Sequence, residues 1–219
     1  VFSRMEASPP RCAPCFSGTV AASVCGAGGP VAGLKRYGHC SVLLTPDIIL
    51  TTGGFGDHGG RHCRLTELHI LVKHLGGWRS GEVRLAELEM AWDGRLFHTV
   101  NVLRSGWAVV LGGRKSPESP ALPPLRLKGL TGADPLSPGN PVIELAPLPP
   151  VEGLSVPRWR HTATAVTQGG QAYLFVYGGC SSGQAVLTDW RFLHLEGLHC
   201  QQVPVEGPVP AGRHSHSAC

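Results

Sequence analysis

The sequence is short of lysine, tyrosine and methionine, and of charge in general. Of its 219 residues 19 are Lys or Arg and 15 are Asp or Glu; charged residues make up 16% and the apolar set 42%. That is too little charge for a disordered acidic or basic tail and enough apolar material for a core. The net charge of +4 is a mild bias, without the dense basic footprint of a dedicated nucleic-acid binder. No apolar run approaches the roughly 20 residues of a membrane-spanning helix, so no membrane partner is expected. The start, Val1 to Ser8, lacks the apolar centre of a signal peptide. Eight cysteines fall below the density that marks a disulfide scaffold, which leaves reduced thiols and a cytoplasmic location as the expectation. There is no G-x-S-x-G elbow, no P-loop and no H-E-x-x-H. A copper-oxidase site needs Tyr and His converging at one place, and the chain has only Tyr37, Tyr173 and Tyr177, two of them four apart in one strand. No catalytic, cofactor-binding or metal-binding residue is therefore expected in this stretch.

Glycine (30) and proline (19) are plentiful. Gly costs roughly 1 kcal/mol and Pro about 3 kcal/mol inside a helix, so the composition excludes a helical bundle and favours short strands joined by turns. One tetrad recurs four times, as Arg36-Tyr-Gly-His39, Arg95-Leu-Phe-His98, Arg158-Trp-Arg-His161 and Arg213-His-Ser-His216, with the histidines 59, 63 and 55 residues apart. A glycine pair ends an apolar run after each of the first three: Gly53-Gly54, Gly112-Gly113 and Gly178-Gly179. Two marks holding register through three copies define a repeat.

Each copy predicts a short strand after the histidine (Cys40 to Leu44, Thr162 to Val166) and a second ending at the glycines. A third is predicted at Leu65 to Leu71, Pro141 to Leu145 and Leu187 to Leu195. A fourth is predicted at Val83 to Leu85 or Gln201 to Val203. The continuously apolar second strands suit burial on both faces. Four strands per unit describe a propeller blade. The expected architecture is all-β: an incomplete propeller of about three four-stranded blades plus the first strand of a fourth. Residues 1–35 are a lead-in, and 36–219 the propeller. The units are 36–94, 95–157, 158–212 and a truncated 213–219. The Pro-rich stretch 116–150 is expected to be an irregular insertion. A chain that lacks an initial Met and stops three residues after a fourth tetrad is expected to be a fragment.

The tetrad, the Gly-Gly strand end and the later aromatic resemble the kelch pattern over residues 36–219. Trp78 stands where kelch units carry a Trp, and Cys200 replaces it in the third unit. Several runs make the resemblance narrower, among them Leu50-Thr-Thr-Gly-Gly-Phe-Gly56, Gly60-Arg-His-Cys-Arg64 and Leu187-Thr-Asp-Trp-Arg-Phe-Leu-His194. They are similar to the kelch half of the wybutosine-synthesizing family of tRNA-modifying enzymes, of leucine carboxyl methyltransferase 2 type. The resemblance implies a parent with an S-adenosylmethionine-dependent methyltransferase domain that completes wybutosine beside the anticodon of phenylalanine tRNA. The alternative is a non-catalytic kelch module, a scaffold or ubiquitin-ligase adaptor with a protein partner.

The repeated Arg and His are expected to be structural, because a ligand site needs different groups from each blade. Cys12-Ala-Pro-Cys15 lacks the second pair of a zinc site, and His58, His62, Cys63 and His69 read as a loose set in a Gly-rich loop. Cys25-Gly-Ala-Gly-Gly29 leaves no room for the helix that a cofactor loop opens. Arg158, Arg160, Arg191 and Arg213 are the candidates for a basic rim toward tRNA, against a reading as scattered solvated charge.

Overall fold

The computed structural model describes residues 35–218, apart from 76, 84, 86–91, 104–106, 130–135, 137–142, 150, 155–156, 196, 198 and 203. Cys12-Ala-Pro-Cys15 and Cys25-Gly-Ala-Gly-Gly29 lie outside the described residues. The described chain is all-β and forms three four-stranded antiparallel sheets and one of three strands. Its strands are β1 (Arg36–Tyr37), β2 (Cys40–Thr45), β3 (Ile48–Thr52), β4 (Phe55–His58), β5 (Arg61–Arg64), β6 (Leu68–His74) and β7 (Gly77–Val83). The second unit adds β8 (Thr99–Val102), β9 (Ala108–Leu111), β10 (Leu125–Lys128) and β11 (Glu144–Pro147). The third adds β12 (Thr162–Gln168), β13 (Gln171–Tyr177), β14 (Trp190–His194) and β15 (His199–Gln202).

Blade 1 has the order β2-β3-β6-β7, blade 2 β8-β9-β10-β11 and blade 3 β12-β13-β14-β15. The first strands touch one another, β2 against β8 and β8 against β12, so the sheets fan out from one edge as blades of a propeller-like fold. Blade 2 shows why its second strand is continuously apolar. All four residues of β9 are buried. Ala108 and Val110 pack with Leu50, Leu68 and Ile70 of blade 1, while Val109 and Leu111 pack with Leu174, Val176 and Leu193 of blade 3. Period-two alternation on a strand covered by two neighbours leaves no polar face.

Several expectations are corrected. The Pro-rich stretch 116–150 is not irregular throughout, because it contains β10 and β11. Its prolines fall outside β10, which runs between Pro124 and Gly129, and Pro147 ends the outermost strand, where a missing N–H breaks no ladder. Leu125 to Lys128 is thus the third strand of blade 2, and Pro141 to Leu145 overlaps the fourth. The third strands of blades 1 and 3 begin three residues later than predicted, at Leu68 and Trp190. The fourth strand of blade 1 begins earlier, at Gly77, and that of blade 3 begins at His199. The Gly-rich loop around His58 and His62 is a hairpin, β4-β5, closed by Gly59 and Gly60 at φ 57° and 74°. Two positive-φ residues in a two-residue connection make the tight turn whose twist matches the strands. Residues 204–218 form no strand; the fourth tetrad lies there as irregular chain against blade 3.

Candidate functional site

The tetrads sit where the blades meet, and the same contacts recur at each seam. Within a blade the arginine reaches its own glycine pair: Arg36 Nη1 donates to Gly53 O at 2.9 Å, Arg95 Nη1 to Gly112 O at 2.9 Å and Arg158 Nη1 to Gly178 O at 3.1 Å. Between blades, the second glycine donates its N–H to the arginine carbonyl of the following tetrad. Gly54 reaches Arg95 O (3.1 Å), Gly113 reaches Arg158 O (2.9 Å) and Gly179 reaches Arg213 O (2.9 Å). The first glycine of each pair has φ near 60°, and a Cβ there would collide with that same carbonyl and with the following histidine ring. Only glycine fits, for conformation and for space.

A third set of bonds links the tetrads to one another. Phe97 N donates to Gly38 O, Arg160 N to Phe97 O and Ser215 N to Arg160 O, at 2.7, 2.9 and 3.0 Å. To do so the third tetrad residue turns left-handed in every copy: Gly38, Phe97, Arg160 and Ser215 have φ between 54° and 67°. Each non-glycine residue there carries about 1–2 kcal/mol of backbone strain.

The histidines are hydrogen-bonded backward to the preceding blade. His161 Nε2 meets Thr99 Oγ1 at 3.1 Å and His216 Nε2 meets Thr162 Oγ1 at 2.9 Å. Blade 1 has Cys40 where the others have threonine, and here His98 Nε2 meets Thr52 Oγ1 at 2.7 Å. Thr52 is the cross-strand partner of Cys40, so the hydroxyl has moved across the ladder. Burial, with Arg95 charge second, holds His98 well below the usual imidazole range, and burial with the Arg158 charge brings His161 to about 3. Both rings are neutral near pH 7. His39, by contrast, is exposed.

Each buried guanidinium has a carboxylate. Arg95, fully buried, meets Asp93 through two bonds of 3.0 and 2.7 Å. Arg158, 4% exposed, meets Asp189 through two bonds of 2.8 Å, and Arg191 Nε adds a third at 2.9 Å. Burial alone raises the Asp189 carboxyl, but the bonds and charges of Arg158 and Arg191 outweigh it and bring the group down to about 2. Arg158 and Arg191 are therefore committed to an ion pair and do not form a basic rim.

A different group of cations surrounds the tetrad end of the blades. Arg160 lies 4.4 Å from the centre of the Phe97 ring and Arg114 lies 5.9 Å from it. Arg114 also stacks on Trp159 at 4.6 Å. Arg64, on β5, donates to the Lys115 carbonyl at 3.1 Å, which brings the β4-β5 hairpin to the same place. Tyr37, 54% exposed, packs on Phe55, and Phe55 on His62, at 5.7 and 4.7 Å. This end thus joins Arg64, Arg114, Lys115 and Arg160 to Tyr37, Phe55 and Phe97. Aromatic faces interleaved with arginine suit unstacked bases and phosphates. Arg213 is exposed on the irregular C-terminal chain. Sequence reasoning named Arg160 and missed Arg114, Phe97 and Trp159. Their signal is positional: they are the residue after a glycine pair and the two variable places of a tetrad.

The remaining candidates separate. His62 Nδ1 binds Asp57 at 2.8 Å and His58 lies 3.8 Å from Glu67, while Cys63 is a free thiol. Among the described residues no three His, Cys, Asp or Glu side chains gather as a metal site would require. Tyr173 packs on Phe192 and His194, and Tyr177 stacks on Trp190 at 4.0 Å, so both serve packing.

No protein-family model matches the chain. Curated relatives do. The tRNA wybutosine-synthesizing protein 4 of Homo sapiens is 42% identical over 220 residues, all of this chain and 32% of that protein. The Rattus norvegicus protein of the same name is 44% identical over 205 residues, 93% of this chain and 30% of that one. The Aspergillus fumigatus protein so named is 26% identical over 189 residues, 84% of this chain and 15% of its own length. The chain spans about a third of the length of the mammalian relatives. Along its whole length it is thus a homologue of tRNA wybutosine-synthesizing protein 4, resembling one segment of that protein.

Proposed function

We propose that this chain is the kelch propeller of a carboxyl methyltransferase of the wybutosine pathway, and that its tetrad end holds the tRNA substrate. The observation that carries the docking face is the placement of two guanidiniums, Arg114 and Arg160, about the half-buried Phe97 ring. Identity of 42–44% to proteins that bear the wybutosine name supports the pathway. An anticodon loop offers unstacked bases for such a platform and phosphates for Arg64 and Lys115. The role is positioning. The methyl donor is proposed for the parent's other two thirds, and the reaction for the cytoplasm with phenylalanine tRNA as substrate.

The test is tRNA binding by the full-length protein across a salt series. Arg114→Gln with Arg160→Gln should weaken binding about tenfold or more and lower the salt slope by about 0.7–0.9 for each phosphate that is no longer neutralised. Affinity and slope equal to those of the unaltered protein would remove the tetrad end from the interface. Unchanged methyl transfer to the hypomodified tRNA by a parent deleted of this propeller would remove the positioning role.

A further inference from the structure

The loop that follows the second glycine pair, Arg114-Lys115-Ser116-Pro117-Glu118-Ser119-Pro120, carries two serine–proline steps in succession. It folds as a tight turn. Ser119 N–H donates to Ser116 O at 3.3 Å, with Pro117 in the second position, where its fixed φ favours such a turn. The two hydroxyls are used unequally. Ser119 Oγ is the hub: it accepts from the N–H of Lys115 at 2.9 Å and of Ser116 at 2.8 Å, and donates to Ser116 O at 3.0 Å. Ser116 Oγ takes one bond, from Ser119 N–H at 3.1 Å. Ser116 is half-buried, and Lys115, Pro117 and Glu118 around it are exposed. A hydroxyl on a surface turn, followed by an exposed proline and barely used by the fold, is chemically available; the Ser119 hydroxyl is not.

The backbone on either side of Ser116 is gripped by cations. Arg64 Nη1, from β5, donates to Lys115 O at 3.1 Å, and Arg114 Nη1 donates to Pro117 O at 3.2 Å. Each spends one of its five N–H donors on a neutral carbonyl of the loop. Lys115 adds an ammonium on the adjacent residue, and the acid of the loop, Glu118, lies two residues beyond. An oxyanion attached to Ser116 Oγ would be within reach of both guanidiniums. It would draw charge-assisted bonds roughly twice as strong as the carbonyl bonds they replace. Arg114 is also the guanidinium that stacks on Trp159 at 4.6 Å and approaches Phe97 at 5.9 Å, so a charge acquired at Ser116 acts directly on the aromatic platform.

We propose that Ser116 is a phosphorylation site for a proline-directed protein kinase, and that its phosphate is held by Arg64 and Arg114 and so competes with tRNA for both. In the transfer the Ser116 oxygen attacks the γ-phosphorus of ATP. The Oγ–P bond forms, the bond from that phosphorus to the β,γ-bridging oxygen breaks, ADP departs, and the hydroxyl proton passes to the carboxylate base of the kinase. The product carries a charge of about −1.5 to −2 at pH 7 and three acceptor oxygens. The modification and its capture stand on the loop geometry alone; the effect on tRNA rests on the docking face proposed above.

The test treats the full-length protein with a mitogen-activated protein kinase and ATP, and locates the phosphate by mass spectrometry. Phosphate at Ser116 is expected, and none at that position in Ser116→Ala. The phosphorus resonance of the product should titrate with a midpoint below the usual value of about 6, and Arg64→Gln should move that midpoint back up. Binding of phenylalanine tRNA should weaken about tenfold on modification, with a lower salt slope, while kinase-treated Ser116→Ala binds as the untreated protein does. Three results would overturn the site or its capture: phosphate confined to Ser119, refusal of the folded protein where a peptide of residues 111–122 is accepted, or a phosphorus midpoint near 6 that ignores Arg64→Gln. Equal tRNA affinity before and after modification would overturn the competition if Arg114→Gln with Arg160→Gln still weakens binding by the unmodified protein. If that pair is also without effect, it is the docking face that has failed, and the competition with it.

Discussion

The exchange of Cys40 and Thr52 is the most informative detail at the scale of single residues. Blades 2 and 3 place threonine directly after the tetrad histidine, and its hydroxyl holds the next histidine ring. In blade 1 that place is Cys40, whose Sγ lies 3.3 Å from the Val100 N–H and whose thiol burial pushes up. A neutral thiol is a weak partner for imidazole, and Thr52 supplies the hydroxyl from the neighbouring strand. Thr52→Val should therefore cost about 1–2 kcal/mol, because it leaves a polar atom of His98 unmatched in the interior. Cys40→Thr in the same chain should recover most of that loss by restoring the arrangement of the other blades. Urea unfolding of the two single variants and the double variant checks this; equal losses in Thr52→Val and the double variant would show that Cys40 is not the equivalent site. The Arg and His of the tetrad and the glycine pairs are readable in the sequence because they recur in register. The hydroxyl is harder to read, because its position alternates between two strands while its function stays the same.

At the scale of the strand, what can be read depends on what neighbours a strand. The second strands, β3, β9 and β13, stand out in the sequence because each is apolar and ends in two glycines. The outermost strands β7, β11 and β15 are paired along one edge only, and their bounds are set by pairing that no local signal announces. The β4-β5 hairpin carries a signal, Gly59-Gly60 between Phe55-Gly-Asp-His and Arg-His-Cys-Arg, which its histidines obscure. The Asp189 carboxylate shows what an element boundary can contribute. It lies one residue ahead of β14 and joins Arg158 of the third tetrad to Arg191 on the strand itself. Asp189→Asn would leave a guanidinium that is 4% exposed without its counter-charge, at a cost of about 3 kcal/mol or more. Replacing Asp47, whose partner Lys73 is 3.7 Å away on the surface, should cost less than about 1 kcal/mol. Thermal denaturation of the pair of variants measures the contrast.

For the molecule as a whole, the seams set a pH response. His98 and His161 are held as neutral rings in the fold, by burial first and by adjacent arginine charge second. Both folded pKa values lie below the ordinary imidazole value of 6.5, that of His161 at about 3, so as pH falls below about 6.5 the unfolded chain binds protons that the folded chain refuses. Their stabilising contribution is complete above about pH 6.5 and declines as pH falls, by up to about 1.4 kcal/mol per pH unit for each ring. Asp189 extends the decline between the ordinary carboxyl value of 3.8 and about 2. Chemical denaturation at pH 7.5 and at about pH 5 checks the sign: the midpoint should be lower in acid, and a midpoint that rises on acidification would contradict neutral seams.

The seam contacts also determine where the chain divides into exchangeable pieces. Each blade is completed by the next tetrad along the sequence, whose arginine carbonyl and histidine ring fill the notch of the preceding glycine pair. A cut just ahead of Arg95 or Arg158 would strip a blade of that plug, whereas a cut after His98 or His161 would keep it. The module suited to shuffling or circular permutation is accordingly out of phase with the visible repeat. It opens on the strand and closes on its neighbour's histidine.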